Sequence, residues 1–148
     1  GKIHETIPDY KLFIAGDGHL KSSLQEICVK LNLTNKVCLL GNLKKKSLIN
    51  QYNESEIFIL SSQSEGFPKV ILEALFCGCK VVSTNVGSAS ELLPSKYIIK
   101  DNSVDLLGEA ILKIVSDKEY YVDKSALESK YTWVQTQRIY ENIYKSIL

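Results

Sequence analysis

Short apolar runs alternate along this chain with stretches in which apolar residues recur every three or four positions. The apolar runs predict strands at residues 11–15, 37–40, 57–60, 80–83 and 97–99. The recurring positions predict helices at residues 20–31, 45–53, 68–77 and 89–92. Strict alternation of strand and helix is typical of a parallel sheet with helices on both faces. We therefore expect an α/β fold with a doubly wound parallel sheet of about five strands.

Beyond the last predicted strand the pattern is helical only. Asn102 or Ser103 can cap a first helix, whose apolar face extends to about residue 115. Two more helices are predicted at residues 118–129 and 132–148. Because no repeat, low-complexity segment or linker interrupts the sequence, we expect residues 1–148 to form one domain with a helical C-terminus.

Composition narrows the class of protein only slightly. The 148 residues are 45% hydrophobic and 24% charged, which is ordinary for a globular domain, and the net charge of +1 argues neither for nor against any partner. We expect no nucleic-acid partner. No apolar run approaches the roughly eighteen residues of a membrane-spanning helix. The four cysteines lie in apolar surroundings without metal-site spacing, so we interpret them as core residues of a protein from a reducing compartment.

One stretch carries most of the chemical information. The predicted strand at 57–60 leads into a serine-containing loop, then Glu65-Gly66-Phe67-Pro68, then a helix of mostly apolar residues. Gly66 allows a turn, and Pro68 fits the first helical position because its missing N–H is not needed there. Glu73 is the only carboxylate in this helix, and we expect apolar neighbours to bury it. A buried carboxylate needs a hydrogen-bonding partner, either internal or a ligand.

The same stretch carries a family signature. Glu65 and Glu73 are separated by seven residues within E-G-F-P-K-V-I-L-E-A-L-F-C-G-C-K-V-V-S-T. This block resembles the signature of the retaining glycosyltransferases of family 4, in the half that binds the nucleotide sugar. The resemblance implies the Rossmann-like C-terminal half of a GT-B fold. An ordinary helix with one solvent-facing glutamate is the alternative.

The resemblance implies a role for each residue of the stretch. Glu65 is the expected catalytic residue and, with Gly66 and Phe67, would meet the donor sugar. The N–H groups of Lys69 and Val70, at the helix start after Pro68, would hold the diphosphate, since a helix N-terminus attracts anions. Glu73 would accept hydrogen bonds from the two ribose hydroxyls, and such charged hydrogen bonds contribute about 1.5–3 kcal/mol each.

Two further loops are expected to border the nucleotide. Gly16-Asp17-Gly18 follows the first predicted strand, and Gly41-Asn42 follows the second, so both lie at the carboxyl ends of strands. The G-x-G-x-x-G fingerprint fails because position 21 is Lys21, and a tight turn is the simpler interpretation of the first loop. By resemblance, the first loop faces the nucleotide cleft and the second contacts the base.

Other features limit the chemistry. No Asp-x-Asp pair is present, so no metal site is expected and the diphosphate would be held by the helix terminus. We expect no cofactor, because the UDP- or GDP-linked sugar is itself the substrate. Gly87-Ser88 stands where the family more usually has Gly-Gly, which weakens the expectation of a close backbone approach to the ligand there.

A central segment of the family's domain is missing. Proteins with this signature begin their donor-binding half with a strand and a loop whose Arg and Lys neutralise the diphosphate, and in the usual strand order that strand is central. Three explanations stay open: a rearranged strand order, a neighbouring chain that fills the gap, or a longer protein of which this chain is part. Since the chain also contains no Met, we expect a longer protein.

The resemblance predicts the donor domain of a hexosyl-transferring enzyme that acts with retention of configuration, in surface polysaccharide or glycoconjugate synthesis. We expect these 148 residues alone to be nearly inactive, because the acceptor domain is absent. The expected partners are a nucleotide sugar, the N-terminal domain and an acceptor glycan or lipid-linked glycan, in the cytoplasm or at the inner membrane face. The alternatives are a non-catalytic nucleotide-binding half that completes another chain and, third, an epimerase or phosphorylase.

Overall fold

The computed structural model of the chain describes residues 3, 5–101, 103–121, 123–132, 134–135, 137 and 142. The strands are β1 (Leu12–Ala15), β2 (Val37–Gly41), β3 (Ile57–Leu60), β4 (Lys80–Thr84) and β5 (Ile98–Ile99). The helices are α1 (Lys21–Lys30), α2 (Lys45–Glu54), α3 (Lys69–Cys77), α4 (Ala89–Leu92), α5 (Val104–Ser116) and α6 (Lys124–Tyr131). The predicted α/β class, the five strands and their alternation with helices are confirmed.

The strands form two parallel sheets. One contains β1 and β2, with Leu12 opposite Val37, and the other has the order β3-β4-β5, with Ile57 opposite Lys80. Thus every strand pairing within the described residues is parallel, as predicted, but the sheet is divided between β1 and β3. Because the chain crosses from β2 to β3 through α2, one helix links the two pieces.

The core of the domain surrounds β4. Val81 and Val82 of this strand are fully buried, as central strands of parallel sheets are when helices cover both faces. One face packs against Ile71 and Leu75 of α3, and the other packs beside Ile114 of α5. Cys79 is buried in the same core, which agrees with its interpretation as a core residue.

The β1-β2 side is much less covered. No residue of α1 is buried, although its apolar residues recur at helical spacing as predicted. The residues of α1 and its flanks with large exposed side chains are Leu20, Leu24, Ile27, Val29 and Leu31. The sequence pattern therefore correctly predicted the helix, and the described residues leave its apolar face open to solvent.

The structure changes the bounds of one of the two helices predicted after α5 and describes few residues of the other. The helix expected at residues 118–129 begins instead at Lys124, because the Asp123 side chain accepts a hydrogen bond from the Ala126 N–H at 3.1 Å and caps it. Asp117 accepts from the Glu119 N–H at 2.8 Å, which forms a turn where the helix was expected. The helix predicted at 132–148 lies mostly outside the described residues.

Asp117 also anchors the amino edge of the sheet. Its carboxylate accepts from the Lys96 ammonium at 2.7 Å and from the hydroxyl of the fully buried Tyr97. The hydrogen bond from Lys96 is the largest cause that holds the pKa of Asp117 well below its usual range. The hydrogen bonds from Tyr97 and from the Glu119 N–H lower this pKa further. The carboxylate therefore joins the turn before β5 to the end of α5.

We expect this anchor to make stability acid-sensitive. Because the folded-state pKa of Asp117 is depressed, its contribution is present above about pH 4, the range of an unfolded aspartate, and is lost as the pH falls further. Asp117→Asn should lower the free energy of unfolding at pH 7 and flatten its decline below pH 4. Urea unfolding from pH 7 to pH 2 measures this, with Asp9→Asn at an exposed position as control. Equal slopes for parent and Asp117→Asn would contradict the assignment.

Candidate functional site

The last residue of β4 holds the loop between β3 and α3 through hydrogen bonds to its backbone. The Thr84 hydroxyl, at the end of β4, donates to the Ser62 carbonyl at 2.7 Å and lies 3.4 Å from the Leu60 carbonyl. The Ser62 hydroxyl in turn donates to Glu65 Oε1 at 2.9 Å. Glu65 is thereby oriented by its own loop while its side chain remains exposed. The structure places this carboxylate at the carboxyl edge of the sheet, as predicted.

Gly87 supports the loop from the side. Its φ is +49°, and a Cβ there would lie 1.9 Å from the Gly66 carbonyl oxygen and 2.8 Å from that of Glu65. The loop after β4 therefore approaches the Glu65-Gly66 backbone closely, and only glycine fits. The backbone at Gly87 therefore does approach another group closely, although Ser88 stands in place of the second glycine. The group that it approaches is the protein's own Glu65-Gly66 loop.

Phe67 closes the other side of the loop. Its ring is 43% exposed and packs on the ring of Tyr131, with the ring centroids 6.0 Å apart and an interplanar angle of 41°. Tyr131 is the last residue of α6. The loop is consequently held by three separate elements, β4, the Gly87 turn and α6.

The start of α3 differs from the prediction in one detail. Pro68 is buried and precedes the first helical residue, Lys69, instead of being that residue. The Lys69 N–H donates to the Phe67 carbonyl at 2.9 Å, so this amide has an internal partner. Among the described residues the Val70 N–H has no acceptor, because no helical carbonyl precedes it. Of the two amides predicted to bind an anion, only that of Val70 is free.

Glu73 is exposed, and the expectation of a buried carboxylate was wrong. Although Ile71, Leu72, Ala74 and Leu75 around it are buried, Glu73 lies one turn after the exposed Lys69, on a face of α3 that the described residues leave largely open. The apolar composition of α3 therefore correctly predicted that the helix is largely buried. It did not predict which face of the helix is exposed.

The Glu73 carboxylate interacts with a buried hydroxyl. The pKa of Tyr52 in α2 is raised to about 12. Burial is the largest cause, and the negative charge of Glu73 is the second. Tyr52 is 5% exposed and its ring packs edge-on against Phe58, with centroids 5.4 Å apart. Tyr52 was not predicted as part of the site, since its helical spacing indicated only a core position.

The two glycine loops form a separate group on the β1-β2 sheet. The Gly16 N–H donates to the Gly41 carbonyl at 2.7 Å, and both residues have positive φ, +125° and +66°. Asp17 accepts from the Gly18 N–H at 3.0 Å and pairs with Lys21 at 3.6 Å, while the Lys21 N–H donates to the Gly18 carbonyl at 3.1 Å and closes a turn over residues 18–21. Asn42 is exposed beside them.

The predicted residues lie on an open surface. Two cavities of the described part of the chain are elsewhere: about 350 Å³ between α1 and β2, and about 260 Å³ between β5 and α5. Neither is lined by a predicted site residue. The described residues contain no group of three or more His, Cys, Asp or Glu arranged to hold a metal ion. Nor does any helix in this part of the chain have the length and apolarity needed to cross a membrane.

Residues 1–126 match the family model described as Glycosyl transferases group 1. One subunit of the human phosphatidylinositol N-acetylglucosaminyltransferase is 36% identical over 115 residues, which are 77% of this chain and 24% of that protein. The N-acetyl-alpha-D-glucosaminyl L-malate synthase of Bacillus anthracis is 26% identical over 148 residues, 95% of this chain and 38% of that protein. The chain thus spans well under half the length of these relatives.

Solved structures share the fold. The HepE protein of Anabaena, in complex with UDP, superposes with a TM-score of 0.77 at 21% identity, over 93% of this chain and 42% of that one. The sucrose-phosphate synthase of Thermosynechococcus elongatus gives a TM-score of 0.77 at 18% identity, over 98% of this chain and 41% of that one. At these identities the similarity shows the fold alone.

Proposed function

The chain belongs to the group 1 glycosyl transferases, and from that premise we propose that it is the nucleotide-sugar-binding half of a retaining, family 4 enzyme of GT-B architecture. The observation that carries the proposal is the arrangement around the start of α3. There Glu65 and Glu73 are exposed after the carboxyl end of β3, and the Val70 N–H between them has no acceptor among the described residues. Ligands of doubly wound sheets bind at this edge.

The diphosphate would lie at the start of α3. The nine-residue helix directs its positive end toward the loop, and the Val70 N–H is available to an anion. Lys69, next to it, is exposed and carries a positive charge that would offset part of the diphosphate charge. The Lys69 N–H would join only if its contact with the Phe67 carbonyl opened on binding.

The ribose would be bound one turn further along the helix. Glu73 lies four residues after Lys69, so its carboxylate is on the same face as the helix start. One carboxylate can accept hydrogen bonds from two adjacent hydroxyls. Gly16, Asp17, Gly18, Gly41 and Asn42 would border the nucleotide on the β1-β2 side, with the backbone of Gly41 and Asn42 at the base.

The donor sugar would contact Glu65, Gly66 and Phe67. Transfer breaks the bond between the anomeric carbon and the diphosphate oxygen, which leaves with the electron pair. A bond forms to an acceptor hydroxyl oxygen, whose proton passes to the departing diphosphate, and the configuration is retained. Glu65, held by Ser62 at 2.9 Å, would be the carboxylate that faces the sugar during this step.

Relatives narrow the first substrates to test. One is named as a subunit of an N-acetylglucosaminyltransferase, another as an N-acetyl-alpha-D-glucosaminyl L-malate synthase, and HepE was solved with UDP. We therefore rank UDP-linked hexoses, with UDP-N-acetylglucosamine first, ahead of GDP-linked sugars. The acceptor would be a glycan or lipid-linked glycan of a surface polysaccharide or glycoconjugate. A cytoplasmic enzyme attached peripherally to the inner membrane face suits that acceptor.

The 148-residue chain should bind nucleotide weakly and transfer little sugar. An open cleft with one free amide predicts a dissociation constant near 1 mM, or about −4 kcal/mol. Calorimetry with UDP, and a glycosyl-transfer assay with UDP-N-acetylglucosamine, measure the two quantities. Substantial turnover by this chain would contradict the role assigned to a separate acceptor domain. If no binding is detected at 10 mM UDP, about tenfold above the expected dissociation constant, the donor-binding role is contradicted.

Gly66→Ala should separate ligand contact from folding. No atom lies within 4 Å of a Cβ built at Gly66, so the free energy of unfolding should change by no more than about 1 kcal/mol. A donor sugar seated against this backbone would meet the new methyl group, and we expect at least a tenfold loss of affinity for the sugar nucleotide, about 1.4 kcal/mol, with little change for UDP alone. Equal affinities for parent and variant would remove Gly66 from the sugar subsite.

A further inference from the structure

An acidic and a basic side chain lie together where the two glycine loops meet. The Lys21 ammonium, at the first residue of α1, is 3.6 Å from Asp17 Oδ2. We propose that this Asp17-Lys21 pair binds the edge of the nucleobase and makes the site selective for uracil over cytosine. The inference rests on the proposed function, because it assigns the residues that recognise the base in that same nucleotide site.

Both groups of the Asp17-Lys21 pair are positioned and still available to a ligand. Asp17 Oδ1 accepts from the Gly18 N–H at 3.0 Å, which orients the carboxylate and leaves Oδ2 beside the ammonium. At 3.6 Å the ion pair is too long to be a hydrogen bond, so neither group is saturated by the other. The Asp17 side chain is 48% exposed and that of Lys21 is 41% exposed, so a ligand can reach both.

The pair lies at the end of the site where the base is proposed to bind. The Lys21 Nζ atom is 3.8 Å from a Cβ built at Gly41, and the Gly41 carbonyl accepts from the Gly16 N–H at 2.7 Å. These residues belong to the β1-β2 side of the domain. In contrast, α3, which carries the proposed diphosphate and ribose contacts, follows β3 of the other sheet. The ammonium is therefore on the side of the base and not on that of the diphosphate.

The stability of α1 does not account for a lysine at this position. The positive end of a helix dipole disfavours a cation in the first turn. Lys21 is nevertheless the first helical residue, and the first turn of α1 contains no acidic residue to offset its charge. Asp17 lies before the helix, and an ion pair as exposed as this one contributes little to stability. A ligand that needs an acceptor beside a donor explains the arrangement better.

Uracil and cytosine differ in the atoms that such a pair contacts. A carboxylate only accepts hydrogen bonds, and an ammonium only donates them. Uracil has a ring N–H between two carbonyls, so Asp17 would accept from the N–H and Lys21 would donate to a carbonyl. In cytosine the corresponding ring nitrogen is itself an acceptor, which the carboxylate repels. Because the ribose would be bound at Glu73, the base could not shift to exchange the two contacts.

Titrations with UDP and CDP test the proposal, because the two nucleotides share the diphosphate and the ribose. Binding to the ¹⁵N-labelled chain is followed by the amide shift of Val70. We expect the parent to bind UDP at least about tenfold more tightly than CDP, since a favourable contact is replaced by a repulsive one.

Two substitutions should remove this selectivity. Lys21→Met retains the length of the side chain but donates no hydrogen bond, and the amide of Asp17→Asn can accept from uracil or donate to cytosine. Each should reduce the ratio of the CDP and UDP dissociation constants to about threefold or less, mainly by weakening UDP binding. Lys30→Met, at an exposed lysine at the other end of α1, is the matched control and should keep the parent ratio. Unchanged amide shifts of the buried Val81 and Val82 verify that each variant is folded.

Three results would overturn the inference. The parent binds UDP and CDP alike, or either substitution leaves the ratio unchanged, or Lys21→Met weakens both nucleotides by the same factor, as a general phosphate-binding cation would. Each of these results leaves the donor site at the start of α3 intact. If the parent shows no saturable shift with UDP, the proposed function is overturned and this inference with it, so the two failures are distinguishable.

Discussion

Glu73→Ala is expected to weaken nucleotide binding about 30- to 150-fold, or about 2–3 kcal/mol, without unfolding the domain. Binding is lost because the carboxylate would accept charged hydrogen bonds from the ribose. Stability should change by no more than about 1 kcal/mol, since Glu73 is exposed and its carboxylate interacts with a single described core group, the Tyr52 hydroxyl. Because a parent constant near 1 mM makes that of the variant about 30–150 mM, amide shifts of the variant should stay far from saturation at 10 mM UDP, where the parent is nearly saturated. Urea unfolding measures the stability.

A double cycle with a modified nucleotide shows whether the ribose is the partner. 2′-Deoxy-UDP should bind the parent more weakly than UDP does, whereas Glu73→Ala should bind the two nucleotides alike. Glu26→Ala, at an exposed helical glutamate of α1, is the matched control and should not affect either affinity. If Glu73→Ala binds UDP as tightly as the parent does, Glu73 has no role at the ribose.

Gly87→Ala is expected to lower the free energy of unfolding by about 2–4 kcal/mol and to displace the Glu65-Gly66 loop. Two effects add: alanine is strained at a φ of +49°, and its Cβ would lie 1.9 Å from the Gly66 carbonyl oxygen. Because the obstructing atom belongs to backbone, the loop itself has to move. Urea unfolding measures the stability, and amide shifts of residues 62–70 report the displacement.

Gly18→Ala is the control for that substitution. No atom lies within 4 Å of a Cβ at Gly18, so its effect on stability should stay below about 1 kcal/mol. A Gly87→Ala protein as stable as this control, with unchanged loop shifts, would show that the close approach of the two loops does not exist in solution.

The position of Glu73 illustrates what the sequence could and could not predict. The apolar run of α3 predicted a largely buried helix, and Ile71, Ala74 and Leu75 are buried. The same run suggested a buried Glu73, but a helix that packs on several elements can still leave one face open, and only the tertiary arrangement decides which. The spacing of Lys69 and Glu73, four residues apart, was the available signal for that face.

The residues that hold the Glu65 loop in place were the part of the candidate site that was hardest to predict from the sequence. Thr84, Ser62 and Tyr131 act through contacts between segments that are distant in sequence, such as the Thr84 hydroxyl and the Ser62 carbonyl, 22 positions apart. Local patterns do not contain such information. Conversely, the hydrogen bond between the Asp17 carboxylate and the Gly18 N–H joins neighbouring residues, and contacts of this local kind are the ones that sequence patterns can indicate.

The division of the strands between two sheets shows what local sequence patterns leave undetermined. Apolar runs predicted every strand, because each run is local. They gave no strand order, and the two sheets arise because β1 and β3 are not adjacent partners. The sequence of β1 was typical of a covered strand, and its exposure became apparent only in three dimensions.

The most direct test of the donor-site proposal is a titration of the uniformly ¹⁵N-labelled chain with UDP, followed by backbone amide shifts. We expect saturable shifts at Gly66, Phe67, Lys69, Val70 and Glu73, with smaller ones at Gly41 and Asn42, and a common dissociation constant near 1 mM. Val70 should shift most, since its N–H is free in the absence of ligand. Saturable shifts confined to other parts of the chain, or none at 10 mM UDP, tenfold above the expected constant, would contradict a nucleotide site at the start of α3.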